Sequence, residues 1–197
     1  MNKYPFRLLV IAEERDAASK VRLNDALDKI REDFEVVKGW GLKTRVSYIE
    51  KIEGEWVPNP YVDIIFDTSR VREYAKETKH KYGGEFHSIC LLFKEENWGA
   101  GSNYGGLNIG GLFSGMSAQL SKWYNREDWI YQVLVEEISH SIDEHIFKET
   151  GVKLEDYLNL DGDVDNLVIH GEHADYKRKQ YRPFFLQIAP LLLKTFR

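Results

Sequence analysis

A single cysteine and five prolines are all that a chain of 197 residues contains of either type. One thiol cannot close an internal disulfide, so no disulfide framework holds this fold. Cys90 lies in the apolar run Ile89-Cys90-Leu91-Leu92-Phe93 and is expected to be a small buried hydrophobe. An excess of basic charge is missing as well. The 27 Lys and Arg residues face 32 Asp and Glu, giving a net charge of −5. Phosphate backbones and anionic membranes are recognised by basic faces, so neither nucleic acid nor a membrane is an expected partner. Long hydrophobic runs are absent too. Near the N-terminus, four apolar residues (Leu8 to Ile11) precede Ala12-Glu13-Glu14. That run is too short for a signal peptide or a membrane span and predicts a cytoplasmic protein by default. No Gly-Lys-Ser/Thr phosphate loop, dinucleotide fingerprint, Cys-x-x-Cys pair or Ser-His-Asp signature occurs.

What is present suffices for a core. Hydrophobic residues make up 43% and aromatics 13%, which suits one domain over residues 1–197. Residues 6–12 read as a buried strand. Residues 16–31 read as an amphipathic helix whose stripe is Val21, Leu23, Ala26, Leu27 and Ile30. Further strands are expected at 44–52, 62–66 and 86–93, with a helix at 70–79 and turns at Gly54, Pro58 and Pro60. The glycine-rich segment from Gly99 to Gly115 reads as loops around one short strand at 107–112. From Asn125 onward the pattern is helical, interrupted at Gly151, Gly162 and Pro183. Strands and helices over 1–124, then mainly helices over 125–197, predict an α+β fold with a mixed sheet, N-terminal helices, a central helix and a helical C-terminal part.

The helix expected over 125–150 carries the chemistry. At about 100° per residue, Glu136, Glu137, His140, Asp143 and Glu144 gather on one side, and Ile130, Tyr131, Leu134, Val135, Ile138 and Ile142 on the other. Glu136 and His140 are one turn apart and can reach one cation, while Glu137 beside them can activate a metal-bound water. This is the logic of His-Glu-x-x-His, with Glu136 in the first histidine's place. The bland reading of the same residues is an amphipathic helix with a solvated acidic face. His145 lies about 140° from His140 and is expected to pack rather than ligate.

With Val133-Leu134-Val135-Glu136-Glu137-Ile138-Ser139-His140 preceded by Trp98-Gly99-Ala100-Gly101-Ser102-Asn103-Tyr104-Gly105-Gly106-Leu107, the chain resembles the zincin metallopeptidases. In that family a glycine-containing edge strand binds the substrate and the metal-binding helix follows it. The resemblance implies a zinc-dependent peptidase acting on a peptide or protein substrate. In it Glu137 matches the general base, His140 matches a metal ligand, and Glu136 occupies the other ligand position. The gluzincin branch takes a further ligand from a later helix, near an Ala-Asp pair. Ile169-His170-Gly171-Glu172-His173-Ala174-Asp175 has that look, with Gly171 at the expected position and Glu172, His173 or His170 as substitutes. A catalytically inactive zincin-like binding protein, a pseudoenzyme, is the alternative.

A second metal reading competes for Glu172. Counted from Asp161, an EF-hand-like calcium loop places oxygens on Asp161, Asp163, Asp165 and Glu172, with apolar Val168 at position 8. Tyr157 and Leu160 then stand where an entering helix packs. The bland reading is a polar turn capping the next helix. His80 and His87, on either side of Tyr82-Gly83-Gly84, read as surface or loop residues.

Overall fold

The run Leu8-Leu9-Val10-Ile11-Ala12 has no polar residue on either side of its alternation, and it becomes an interior strand of the sheet. The structure is a computed structural model describing residues 4–13, 17–50, 56–58, 64–66, 77, 80–81, 85–93, 106–109, 113–117, 129–159 and 174–197. Strand β1 (Tyr4–Glu13) leads into helix α1 (Ala17–Phe34) and strand β2 (Trp40–Ile49). A short antiparallel pair follows, β3 (Trp56–Pro58) with β4 (Ile64–Phe66). Next come β5 (Ser88–Phe93), β6 (Gly106–Ile109) and β7 (Phe113–Ser117). The remaining described elements are helical: α2 (Trp129–Thr150), α3 (Leu154–Leu158), α4 (Ala174–Gln187) and α5 (Ala189–Thr195). The expected α+β class is what the structure has.

Five strands form one mixed sheet in the order β2-β1-β5-β7-β6. The first four are parallel, with β1 in register with β2 from Tyr4↔Trp40 to Glu13↔Ile49 and with β5 from Leu8↔Ser88 to Ala12↔Leu92. Strand β6 alone runs antiparallel, pairing with β7 at the sheet's edge from Gly106↔Met116 to Ile109↔Phe113. Both faces of β1 and β5 are buried, which is why they read as continuous apolar runs and not as alternation. Phe6, Leu8, Val10, Cys90 and Leu92 face the helices in a single hydrophobic cluster with residues of α1, α2, α4 and α5.

Several expectations change. Val21 is exposed, because it lies about 160° around the helix from Leu23, and the true stripe runs Leu23, Ala26, Leu27, Ile30, Phe34. Strand β2 begins four residues earlier than expected, at Trp40, whose indole stacks on Phe34 at 4.2 Å. Pro58 ends a strand where a turn was expected. The glycine-rich segment builds two strands, β6 and β7, in place of one. Pro183 does not interrupt its helix but sits inside α4 with its ring exposed, and the chain instead breaks at Ile188, before Pro190. The expected strand residues 50–52 and most of the helix expected at 70–79 lie outside the described elements.

Helix α2 is seated by a buried polar tie. Asp33, at the end of α1, is fully buried. Its Oδ2 accepts a 2.6 Å hydrogen bond from the Tyr131 hydroxyl, and its Oδ1 accepts one of 2.6 Å from Arg182 Nε on α4. A second bond is made deeper in the core, where the Ser141 and Ser88 hydroxyls meet at 2.9 Å, joining α2 to β5. Burying a carboxyl is costly unless its oxygens are satisfied, and here the donors come from two different helices. Tyr131→Phe is therefore expected to cost about 1.5–3 kcal/mol in a urea melt at pH 7, since it strips a buried acceptor of one donor. Arg182→Met is expected to cost more, bounded by about 3–5 kcal/mol.

Candidate metal-binding and hydrolytic face of the central helix

Helix α2 starts with Trp129 as its first described residue and ends where Gly151 adopts φ +71° and its N–H closes on Phe147 O at 2.8 Å. Glycine takes that left-handed conformation without steric cost, so the helix stops there. Over its first three turns the helix is buried around most of its circumference. Ile130, Tyr131, Gln132, Leu134, Val135, Glu137, Ile138, Ser139, Ser141 and Ile142 are all buried. The inward serines return their hydroxyls to the helix backbone, Ser139 to Val135 O at 2.8 Å and Ser141 to Glu137 O at 3.4 Å. The helix packs on β6 and β7 as well as on α1 and α5.

The opening in this jacket is a narrow stripe. Glu136, His140, Asp143 and Glu144 are half-buried, and the stripe becomes exposed at Phe147. Glu136 and His140 stand one turn apart along it, as their spacing predicts. Glu137 flanks them but is only 6% exposed. The acidic side is thus not a freely solvated face: its three motif residues lie at or below the protein surface.

The four carboxylates expected around His140 divide into separate roles. Glu144 forms an i,i+4 ion pair with Lys148 at 3.1 Å. Asp143 Oδ1 accepts a 3.3 Å hydrogen bond from the Leu154 N–H, the first residue of α3, whose own N-cap Lys153 offers no side-chain cap. Burial raises the Asp143 carboxyl above its ordinary range, against the lowering effect of that hydrogen bond and of His140 nearby. Asp143 is therefore a remote cap that fastens α3 to α2.

His145 packs, as its angle predicts. Its Nε2 donates to His87 O at 2.7 Å, and its ring stands edge-on to those of His87 and Phe196. His87, expected at the surface, is instead wedged half-buried among Phe6, His145 and Phe196. Nothing local marks it, because those neighbours are far away in sequence. His80 is exposed. The buried Asp33–Tyr131–Arg182 tie was likewise missed, though Asp33 sits at the edge of the α1 apolar stripe, about 80° from Leu23.

Glu172, His173 and His170, and the calcium-loop residues Asp161, Asp163, Asp165 and Glu172, lie outside the described residues. Two features just ahead of that loop bear on the calcium reading. Helix α3 is only five residues long, and Tyr157, expected to pack there, is 45% exposed. Leu154 is its one buried residue, and Asn159 ends it at φ 54°. Among the described residues no three His, Cys, Asp or Glu side chains converge as a metal cage.

The cap makes a direct prediction. Asp143→Ala is expected to lower stability by about 1 kcal/mol in a denaturant melt, while Asp143→Asn, which keeps an acceptor oxygen, costs a fraction of that. Equal losses in the two variants would contradict the capping role. A scan against protein-family models and a search of curated proteins both found no match to this sequence.

Proposed function

We propose that the open stripe of α2 is the metal-dependent hydrolytic site of a zincin-like peptidase, with Glu137 as general base and Glu136 and His140 as two metal ligands. The observation that carries this reading is burial. A helix enclosed on most of its circumference would be most stable with apolar residues throughout, and charged groups set into such a surface mark functional sites. Here the enclosed stretch instead carries Glu136, Glu137 and His140, with Glu137 6% exposed. Chain order lends support. The glycine-bearing strand β6 is the antiparallel edge of the sheet, it precedes α2, and α2 packs against it. That is the arrangement implied by the zincin resemblance.

The donor chemistry suits the metal. A carboxylate oxygen and an imidazole nitrogen are both ordinary zinc ligands, and a third would come from Glu172 or His173. A zinc ion held there would acidify a bound water and polarise a carbonyl oxygen. The chain's own residues would do the rest. The outer edge of β6 offers backbone N–H and C=O groups to an extended peptide, which aligns one peptide bond with the stripe. Glu137 accepts the proton of the attacking water and hands it to the leaving amine. Its placement away from bulk water keeps that proton between the two. The substrate class is peptide or protein, and the whole chain would act as one zincin-like domain.

Glu137→Gln separates chemistry from binding. It is expected to retain one equivalent of zinc in a calorimetric titration and to reduce hydrolysis of an unstructured protein such as casein by at least about a hundredfold. His140→Ala is expected to lose the zinc, and Glu136→His to bind it more tightly. Zinc binding without hydrolysis in the unmodified protein would favour the inactive binding protein. No zinc binding, with Glu136→His silent, would leave the stripe an ordinary polar face. Calcium binding that is unaffected by His140→Ala but lost in Asp163→Ala would assign the cation to the loop at 161–172.

A further inference from the structure

Four rings from four elements meet at the opposite end of α2 from Tyr131. Phe6 comes from β1, His87 from the entry to β5, His145 from α2, and Phe196 from the residue after α5. The His87 ring centroid lies 5.4 Å from Phe6, 5.5 Å from His145 and 5.0 Å from Phe196. Phe196 is 4% exposed and also rests 5.3 Å from Phe6 and 6.2 Å from Trp40. The cluster is thus the seat of the C-terminal helix, and two of its three walls nearest the Phe196 ring are imidazoles.

The hydrogen bonds of this seat require an uncharged His87 ring. His87 Nδ1 accepts a 2.8 Å bond from the Arg7 backbone N–H, while its backbone N–H donates to Arg7 O at 2.8 Å. Both nitrogens of an imidazolium are donors, so a charged His87 would set an N–H against the Arg7 N–H. Its Nε2 already stands 3.1 Å from Arg7 Nη2. His145 uses Nε2 on the His87 carbonyl.

We propose that His87 and His145 form an acid-operated latch on the C-terminal helix: charging of the pair unseats the Phe196 ring and releases α5 from the core. The charge beside His87 favours release. Arg7 on β1 faces His87. On α2, Lys148 opposes a charge on His145, whereas Glu144 and Glu149 favour it, with Glu144 held by Lys148 at 3.1 Å. The charged side chains of the C-terminal segment, Lys194 and Arg197, are both cationic. Burial, then Arg7, then His145 push the His87 imidazole down to about 3, and burial first of all lowers that of His145.

The sign follows from linkage. The closed seat refuses protons that the open form binds near the ordinary histidine range, so closure is fully favoured above about pH 6.5 and weakens as pH falls. One imidazole that takes up its proton only on opening raises the open population about thirty-fold between pH 7.5 and 5, and a second adds to that rise.

Hydrogen–deuterium exchange on the full chain, corrected for intrinsic exchange, tests this at the amides of Leu191, Leu192 and Phe196, which are bonded to Ile188 and Leu192 carbonyls. Their protection is expected to fall at least about thirty-fold from pH 7.5 to 5 while the core amides of α1 keep theirs. The double variant His87→Gln, His145→Gln is expected to lose that pH dependence. Should the variant not fold, ring titration of the unmodified protein by NMR decides: the two imidazoles should charge together with loss of the α5 amide signals. Protection of α5 that is flat with pH, or falls equally in α1, or keeps its slope in the double variant, would overturn the latch, as would rings that titrate with α5 in place.

Discussion

The buried carboxyl of Asp33 is the constraint from which the placement of the helices follows. It ends α1, receives the Tyr131 hydroxyl from the first turns of α2, and receives Arg182 from α4. Hydrophobic contact alone fixes how closely helices approach but is tolerant of how each is rolled about its axis. A pair of 2.6 Å bonds to one buried group is not tolerant, because a rolled helix would leave a polar atom unsatisfied. The aromatic packing around it, Phe34 on Trp40 and Phe185 edge-on to Phe34, closes the same junction with apolar surface.

The roll of α2 decides what the rest of the chain can do. With Tyr131 held inward and Ser141 bonded to Ser88 ten residues later, the helix is pinned at two heights on its buried side. The stripe opposite is then fixed as Glu136, His140, Asp143 and Phe147. Asp143 spends its oxygen on α3, and Glu144 spends its charge on Lys148. What is left in place is a carboxylate and an imidazole one turn apart, with a second, buried carboxyl beside them. The position of the proposed metal site is thus set by how α2 is rolled against its neighbours.

Much of this was legible in the sequence, and the reasons are local. Strand β1, helix α1 and the face assignment of α2 each follow from the periodicity of one segment, which angle arithmetic captures. The parts that were not legible depend on distant partners. Phe113 to Ser117 is short and contains Gly115, and its strand is made by parallel pairing with β5 rather than by its own pattern. Trp40 starts β2 early because Phe34 is there to stack on. Pro183 stays within α4 because its ring faces outward, where the lost backbone bond is tolerable. His87 follows Gly83-Gly84-Glu85-Phe86 in sequence, a loop-like setting, yet the fold brings the distant Phe6, His145 and Phe196 around it. The depth of Glu137 was equally hidden, because a helical wheel gives direction but not what lies in that direction.

Six histidines in the chain let one measurement address the site directly. Ring nitrogen signals of the isotopically labelled protein, followed by NMR while one equivalent of zinc is added, report which imidazoles bind metal. The account predicts a large shift of a His140 ring nitrogen at one equivalent, with His87 and His145 unmoved because their nitrogens are committed to Arg7 and to the His87 carbonyl. An unchanged His140, or a shift confined to His87 and His145, would contradict it.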